Sequence, residues 1–126
     1  MSSDLKKNKL SLITLIVLVL LTSGLKIKDP QSNILSWDVF GFYLYLPASF
    51  IYDDPAIKDI SWVENTVSNY NSTATLYQLA PTGDGRHVIR FSPGISIMMS
   101  PFFLAGHAIA GMGTSPADGF SKPYQW

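Results

Sequence analysis

Two uncharged apolar runs frame the chain. The first, Leu10 to Leu25, reads Leu-Ser-Leu-Ile-Thr-Leu-Ile-Val-Leu-Val-Leu-Leu-Thr-Ser-Gly-Leu without a charged residue. Sixteen residues make only ~24 Å of helix at ~1.5 Å per residue, short of a ~30 Å hydrocarbon core, but Lys9 and Lys26 can snorkel to lengthen it. A transmembrane helix over 10–27 is the reading preferred; a cleavable signal peptide, with Thr22-Ser23-Gly24 near its cleavage site, is the alternative. The second run, Gly94 to Met112, is also uncharged, but Pro101 and His107 interrupt it. A span that carries both is expected to face other helices or cavity water, and its many small residues suit close packing. Residues 94–112 are therefore expected to form a second hydrophobic helix, either spanning or re-entrant, and a buried helix of a small soluble domain is the weaker alternative.

Between the runs the period changes several times. Residues 37–52 hold Trp37, Phe40, Phe42, Tyr43, Tyr45, Phe50 and Tyr52, seven of the chain's 16 aromatic residues, with Asp38 the only charge among them. This pattern predicts an aromatic helix or pair of turns along the membrane surface, broken at Pro47 and ended by Asp53-Asp54-Pro55. Ile57, Ile60, Val63 or Glu64, and Val67 recur at helical spacing, which predicts a short helix over 57–68. Thr73–Leu79 and Arg86–Phe91 are β-compatible runs joined through Gly83-Asp84-Gly85, which predicts a hairpin over 73–91 whose loop uses the positive φ angles of those residues.

Composition and charge sharpen this picture. Charged residues are 14% of the chain, against roughly 25% in soluble domains. Residues 1–28 carry five lysines against Asp4, 5 − 1 = +4, whereas residues 29–87 carry seven acidic groups against Lys58 and Arg86, 2 − 7 = −5. The positive-inside rule then places residues 1–9 in the cytoplasm and the loop 28–93 outside, the topology of a multi-pass protein of the bacterial inner membrane with membrane lipid as its surroundings. Net charge is zero, so nothing points to nucleic acid. The absence of cysteine removes disulfides and thiolate chemistry, and with only His87 and His107 as imidazoles a metal site would have to be built mainly from carboxylates. No cofactor is implied, and a divalent metal is not indicated.

A basic N-terminus, one span, an outward loop opening Trp37-Asp38 with Tyr43 and Tyr45 behind it, then Arg90-Phe91-Ser92-Pro93-Gly94 leading into Pro101-Phe102-Phe103 and His107, resembles the N-terminal region of polytopic GT-C glycosyltransferases. Protein mannosyltransferases and the aminoarabinose transferases of lipid A are of this kind. The resemblance covers most of residues 10–126 and implies a polyprenyl-phosphate sugar donor. It implies Asp38 as the catalytic acidic residue that deprotonates or orients the acceptor, and substrate contacts at Tyr43, Tyr45, Arg90 and His107. Where relatives are expected to have Lys-Tyr-x-x-Gly, Arg90 keeps the charge and Phe91 lacks the hydroxyl; Val39 stands where a second acidic residue is often found. A base for the acceptor proton and a cation for the departing phosphate are the two groups such a transfer needs. The bland readings are an N-cap for Asp38, a cross-strand or interfacial charge for Arg90, and an interhelical hydrogen bond for His107.

Two spans cannot enclose a lipid-linked sugar, and residues 113–126 read as a tail cut before a further span. The expectation is therefore an N-terminal fragment of a larger transferase, inactive alone. The competing expectation, from a different class, is a small two-span membrane protein whose extracytoplasmic loop binds a partner.

Overall fold

The computed structural model describes residues 2–28 and 33–125. The chain is mainly helical with one small two-stranded sheet, and it divides into two compact units, Met1–Ser32 and Asn33–Trp126. Residues 29–32, which open the expected loop, and Trp126 lie outside the described residues.

The first unit is a single helix, α1, Ser2–Lys28. It therefore begins well before the apolar run, because the lysine-rich start has no helix breaker. Its apolar side chains are exposed all round, from Leu10 at 68% to Leu25 at 69%. The Thr14 hydroxyl donates to the Leu10 carbonyl, and that of Thr22 to Leu18, so both threonine hydroxyls inside the apolar run are satisfied within the helix.

The second unit is built on α2, Trp37–Tyr43, and α3, Tyr45–Phe50. Leu44 between them is helical in backbone angles, and its N–H still reaches the Phe40 carbonyl. The interruption comes one turn before Pro47, since proline has no N–H to give the Tyr43 carbonyl, whereas at Pro47 itself the first turn of α3 needs none. The aromatic run differs in a second respect from the expected surface helix. Phe40, Tyr43, Leu44, Leu46 and Ala48 are buried and form the centre of the core.

α4 spans Ser61–Tyr70, not 57–68. The Asp54 carboxylate accepts the N–H groups of Lys58 and Asp59 at 2.9 and 3.0 Å, and Asp59 in turn accepts the Ser61 N–H, holding residues 57–60 in turns until the helix starts. Trp62, Val63 and Thr66 face the core, and Asn71 ends the helix in the left-handed conformation.

The hairpin is shorter than 73–91. Strand β1, Leu79–Pro81, pairs antiparallel with β2, His87–Ile89, in the register Leu79 to Ile89 and Pro81 to His87. Of its loop residues only Gly85 has a positive φ, +79°. Residues 73–78 fold as turns because Gln78 is buried and spends its amide nitrogen on the Trp37 carbonyl and the Thr73 hydroxyl, which a regular strand would not allow.

The last long helix, α5, runs unbroken over Gly94–Met112. Pro101 deprives the Ile97 carbonyl of its helix partner, and the Ser100 hydroxyl takes that place at 2.7 Å. Among the described residues α5 is the one helix long and apolar enough to cross a membrane; the apolar part of α1, Lys9–Leu25, is shorter. Residues 113–125, expected as a tail, pack instead against the core and end in a 3-10 turn, Lys122–Gln125. Phe120 is fully buried against Phe40 and Tyr43, each at 5.6 Å between ring centroids.

Candidate functional site

Asp38 lies in the first turn of α2, two residues beyond the helix cap position Ser36, which makes no side-chain capping bond. The carboxylate is exposed and does not cap the helix. It accepts a hydrogen bond of 2.7 Å from the hydroxyl of Tyr77, which lies 39 residues on in the turn before β1. Accepting that bond, Asp38 raises the Tyr77 phenol pKa above its ordinary value, because ionising the phenol would break the bond and set two negative charges side by side.

Arg90 follows β2 and is exposed. Its backbone N–H bonds the Gln78 carbonyl at 2.9 Å, which sets Arg90 beside the residue that follows Tyr77. The only ion pair among the described residues joins Arg86 to Asp84 at 2.7 Å, so no carboxylate among them holds the Arg90 guanidinium. The next residue, Phe91, seals the arrangement. Its ring packs edge-on against Phe42 at 4.6 Å and Tyr77 at 6.5 Å, and a Cβ at Gly41 would lie only 2.5 Å from it, so α2 and the end of the hairpin meet at that glycine. Asp38 and Tyr77 thus share one surface, and the Arg90 backbone is tied to the Gln78 turn beside it.

The other three expected contacts are used within the fold. Tyr43 is buried and donates to the Gly119 carbonyl at 2.5 Å, and burial holds its pKa above the ordinary value. Tyr45 donates to the Phe91 carbonyl at 2.7 Å and pins the hairpin to α3. His107 shares a 2.6 Å hydrogen bond between Nδ1 and the Tyr124 hydroxyl and stacks on Phe103. Its partner is the C-terminal turn, not another span. The hydrogen bond of His107 thus runs to the 3-10 turn where one between long helices was the alternative expected, and neither tyrosine presents a free hydroxyl to a substrate.

Comparison with protein-family models, curated proteins and solved structures finds no match. The site must be read from its own geometry.

Sequence reasoning missed Tyr77 and Gln78. Gln78 is fully buried; it clamps the Trp37 carbonyl at 3.0 Å while its own Oε1 has no partner among the described residues, a cost of about 1–3 kcal/mol. The Trp37 N–H is fixed from the other side by the Ser72 carbonyl at 2.8 Å. Trp37 itself sits at φ +53°, which costs a bulky L-residue about 1–3 kcal/mol, and its side chain is 59% exposed. An exposed carboxylate with a phenol beside it can take a proton from a hydroxyl or amine, and an exposed guanidinium such as that of Arg90 can hold phosphate oxygens.

Concavities occur elsewhere on the unit. One of about 310 Å³ lies between α3 and α5, lined by Tyr45, Phe50, Ser96 and Ile97 among others, and one of about 390 Å³ lies over Asp54 and Trp62. Neither Asp38 nor Arg90 lines these. Among the described residues no cluster of three acidic or histidine side chains is arranged to hold a metal ion.

Proposed function

We propose that these residues are the N-terminal part of an integral-membrane glycosyltransferase that moves a sugar from a polyprenyl-phosphate donor to an acceptor outside the membrane, and that they are inactive alone. Asp38 is the acceptor's base and Arg90 the contact to the donor phosphate. The observations that support this reading are a carboxylate at Asp38 held by the Tyr77 phenol and an exposed arginine, Arg90, whose backbone is tied to the Gln78 turn next to that tyrosine. The membrane setting draws support from α5, whose large apolar side chains Ile97, Met98, Phe102 and Met112 are all at least 70% exposed while Ser96 and Gly106 face inward. That pattern inverts the soluble one and suits lipid or further helices outside. Residues 1–9 then lie in the cytoplasm and the loop outside the plasma membrane.

The alternative, a non-catalytic membrane protein whose loop binds a partner, is favoured by one observation: Tyr43, Tyr45 and His107 serve the fold, leaving two of five expected site residues free. The two readings separate in the longest natural reading frame that contains these residues. With labelled polyprenyl-phosphate sugar, Asp38→Asn should lower transfer by about 10²–10⁴-fold with membrane insertion unchanged, the range for loss of a general base. Arg90→Ala should raise KM for the donor. Full transfer by Asp38→Asn would leave only the partner-binding reading.

A further inference from the structure

We propose that Trp37, Asp38 and Tyr77 form a saccharide-binding subsite in which the Trp37 indole is the platform for a pyranose ring. The structure concentrates two costs at one backbone position. Trp37 is held in the left-handed region, at φ +53°, and the amide that holds its carbonyl, Gln78, is buried with an oxygen unpaired among the described residues. Strain of this kind is retained where it positions something. What it positions is a side chain left 59% exposed, although indole gains more than most side chains from burial. Ser72 fixes the Trp37 N–H and Gln78 its C=O, so the ring is presented from a clamped backbone rather than from a mobile loop.

The neighbours define the ligand. Asp38 follows in sequence, and its ionised carboxylate only accepts hydrogen bonds, so it selects a partner that donates. Tyr77 adds a second aromatic ring, 38% exposed, whose hydroxyl orients the carboxylate at 2.7 Å. A pyranose has both complements: an apolar face of axial C–H groups for the indole and a rim of donating hydroxyls for the carboxylate. A phosphate, which accepts and carries negative charge, is disfavoured at this carboxylate itself, and the donor phosphate of the proposed transferase is left to Arg90. The inference deepens the proposed transferase by naming the acceptor as a sugar rather than a protein hydroxyl, and it rests on that reading for its role. Its test does not involve transfer, so either can fail without the other.

The experiment uses the 126-residue chain, labelled with fluorotryptophan in nanodiscs of zwitterionic lipid, and titrates methyl glycosides of glucose, mannose, galactose and N-acetylglucosamine. At least one glycoside should shift the Trp37 fluorine resonance saturably and leave that of Trp62, which is stacked on Tyr52, in place. Saturation transfer to the pyranose protons supplies the affinity for variants that lack the ring. Trp37→Ala should weaken binding about tenfold, the scale of a lost aromatic contact, and Asp38→Asn should weaken it as well; an unmoved Trp62 resonance shows that each variant is folded. Three results would overturn the subsite: no saturable shift with any of the four glycosides, unchanged affinity in Trp37→Ala, or broadening of the Trp37 resonance by a paramagnetic lipid, which would make Trp37 a membrane anchor.

Discussion

Asp38 changes the chemistry of Tyr77 through a single hydrogen bond of 2.7 Å. Because that bond is the leading cause of the raised Tyr77 pKa, Asp38→Asn should return the phenol toward its ordinary value. A pH titration of the Tyr77 ring-carbon chemical shift reads this directly, and an unmoved midpoint in the variant would mean that the bond is not formed in solution. Asp38 stands out in the sequence as the one charge among seven aromatic residues. Tyr77 does not, since it lies in a run whose composition reads as a strand and whose turn becomes visible only when Gln78 is seen to be buried. Pattern reasoning finds a costly charge, but the partner that makes it tolerable is set by tertiary contact.

The element that holds the second unit closed is its C-terminal segment. Asp118 accepts the Tyr70 hydroxyl at 2.5 Å and the N–H groups of Phe120 and Ser121, Tyr43 donates to the Gly119 carbonyl, and Tyr124 meets His107. Gly119 is required there twice over. Its φ is +90°, and a Cβ would lie 2.9 Å from that of Pro47. Gly119→Ala should therefore destabilise the unit by about 2–4 kcal/mol, combining a left-handed residue with overpacking, as measured by denaturant unfolding followed in the near-ultraviolet dichroism of the aromatic core. A loss below about 0.5 kcal/mol, the scale of a neutral surface change, would show that the segment is not docked. The same element makes stability depend on pH. Burial, before any charge, raises the Tyr43 and Tyr70 pKa values, the latter also through Asp118. Above the ordinary tyrosine pKa of about 10 the unfolded chain releases phenolic protons that the folded one keeps, so stability is whole below that pH and falls as pH rises past it. Urea midpoints measured from neutral to strongly alkaline pH should show the decline, and Tyr70→Phe should make it shallower. An identical slope in that variant would take Tyr70 out of the linkage. None of this closure is visible in the pattern of residues 113–126, where no periodic apolar run marks Phe120 or Tyr124 as core.

At the scale of the whole molecule, what was legible was the order of elements: an apolar helix, an aromatic segment read as one helix or a pair of turns, a short helix, a hairpin and a second apolar helix. Their environment was not, because an aromatic run reads alike whether it lines a membrane surface or fills a core. Phe40 and Tyr43 belong to the core only because Phe103 and Phe120 arrive from far along the chain. α5 shows the converse. Apart from Phe103, which enters the core, the residues it turns inward, Ser96, Gly106 and Ala110, are small, whereas Ile97, Met98, Phe102 and Met112 face outward, Phe102 at 73% exposed. In water such a face is a liability, whereas in hydrocarbon it is the ordinary lipid surface of a span. The absence of cysteine makes the distinction measurable, because one introduced thiol is the only one in the chain. Phe102→Cys in native membranes should react with a charged, impermeant maleimide far more slowly than Asn69→Cys on the exposed side of α4. Hydrocarbon both excludes the reagent and suppresses the thiolate that reacts, whereas at Asn69 water reaches the thiol. Detergent denaturation should bring the two rates together, which separates lipid shielding from local differences in reactivity. Equal rates in the intact membrane would place the α5 face in water and remove the span, and the proposed transferase would lose its membrane setting with it.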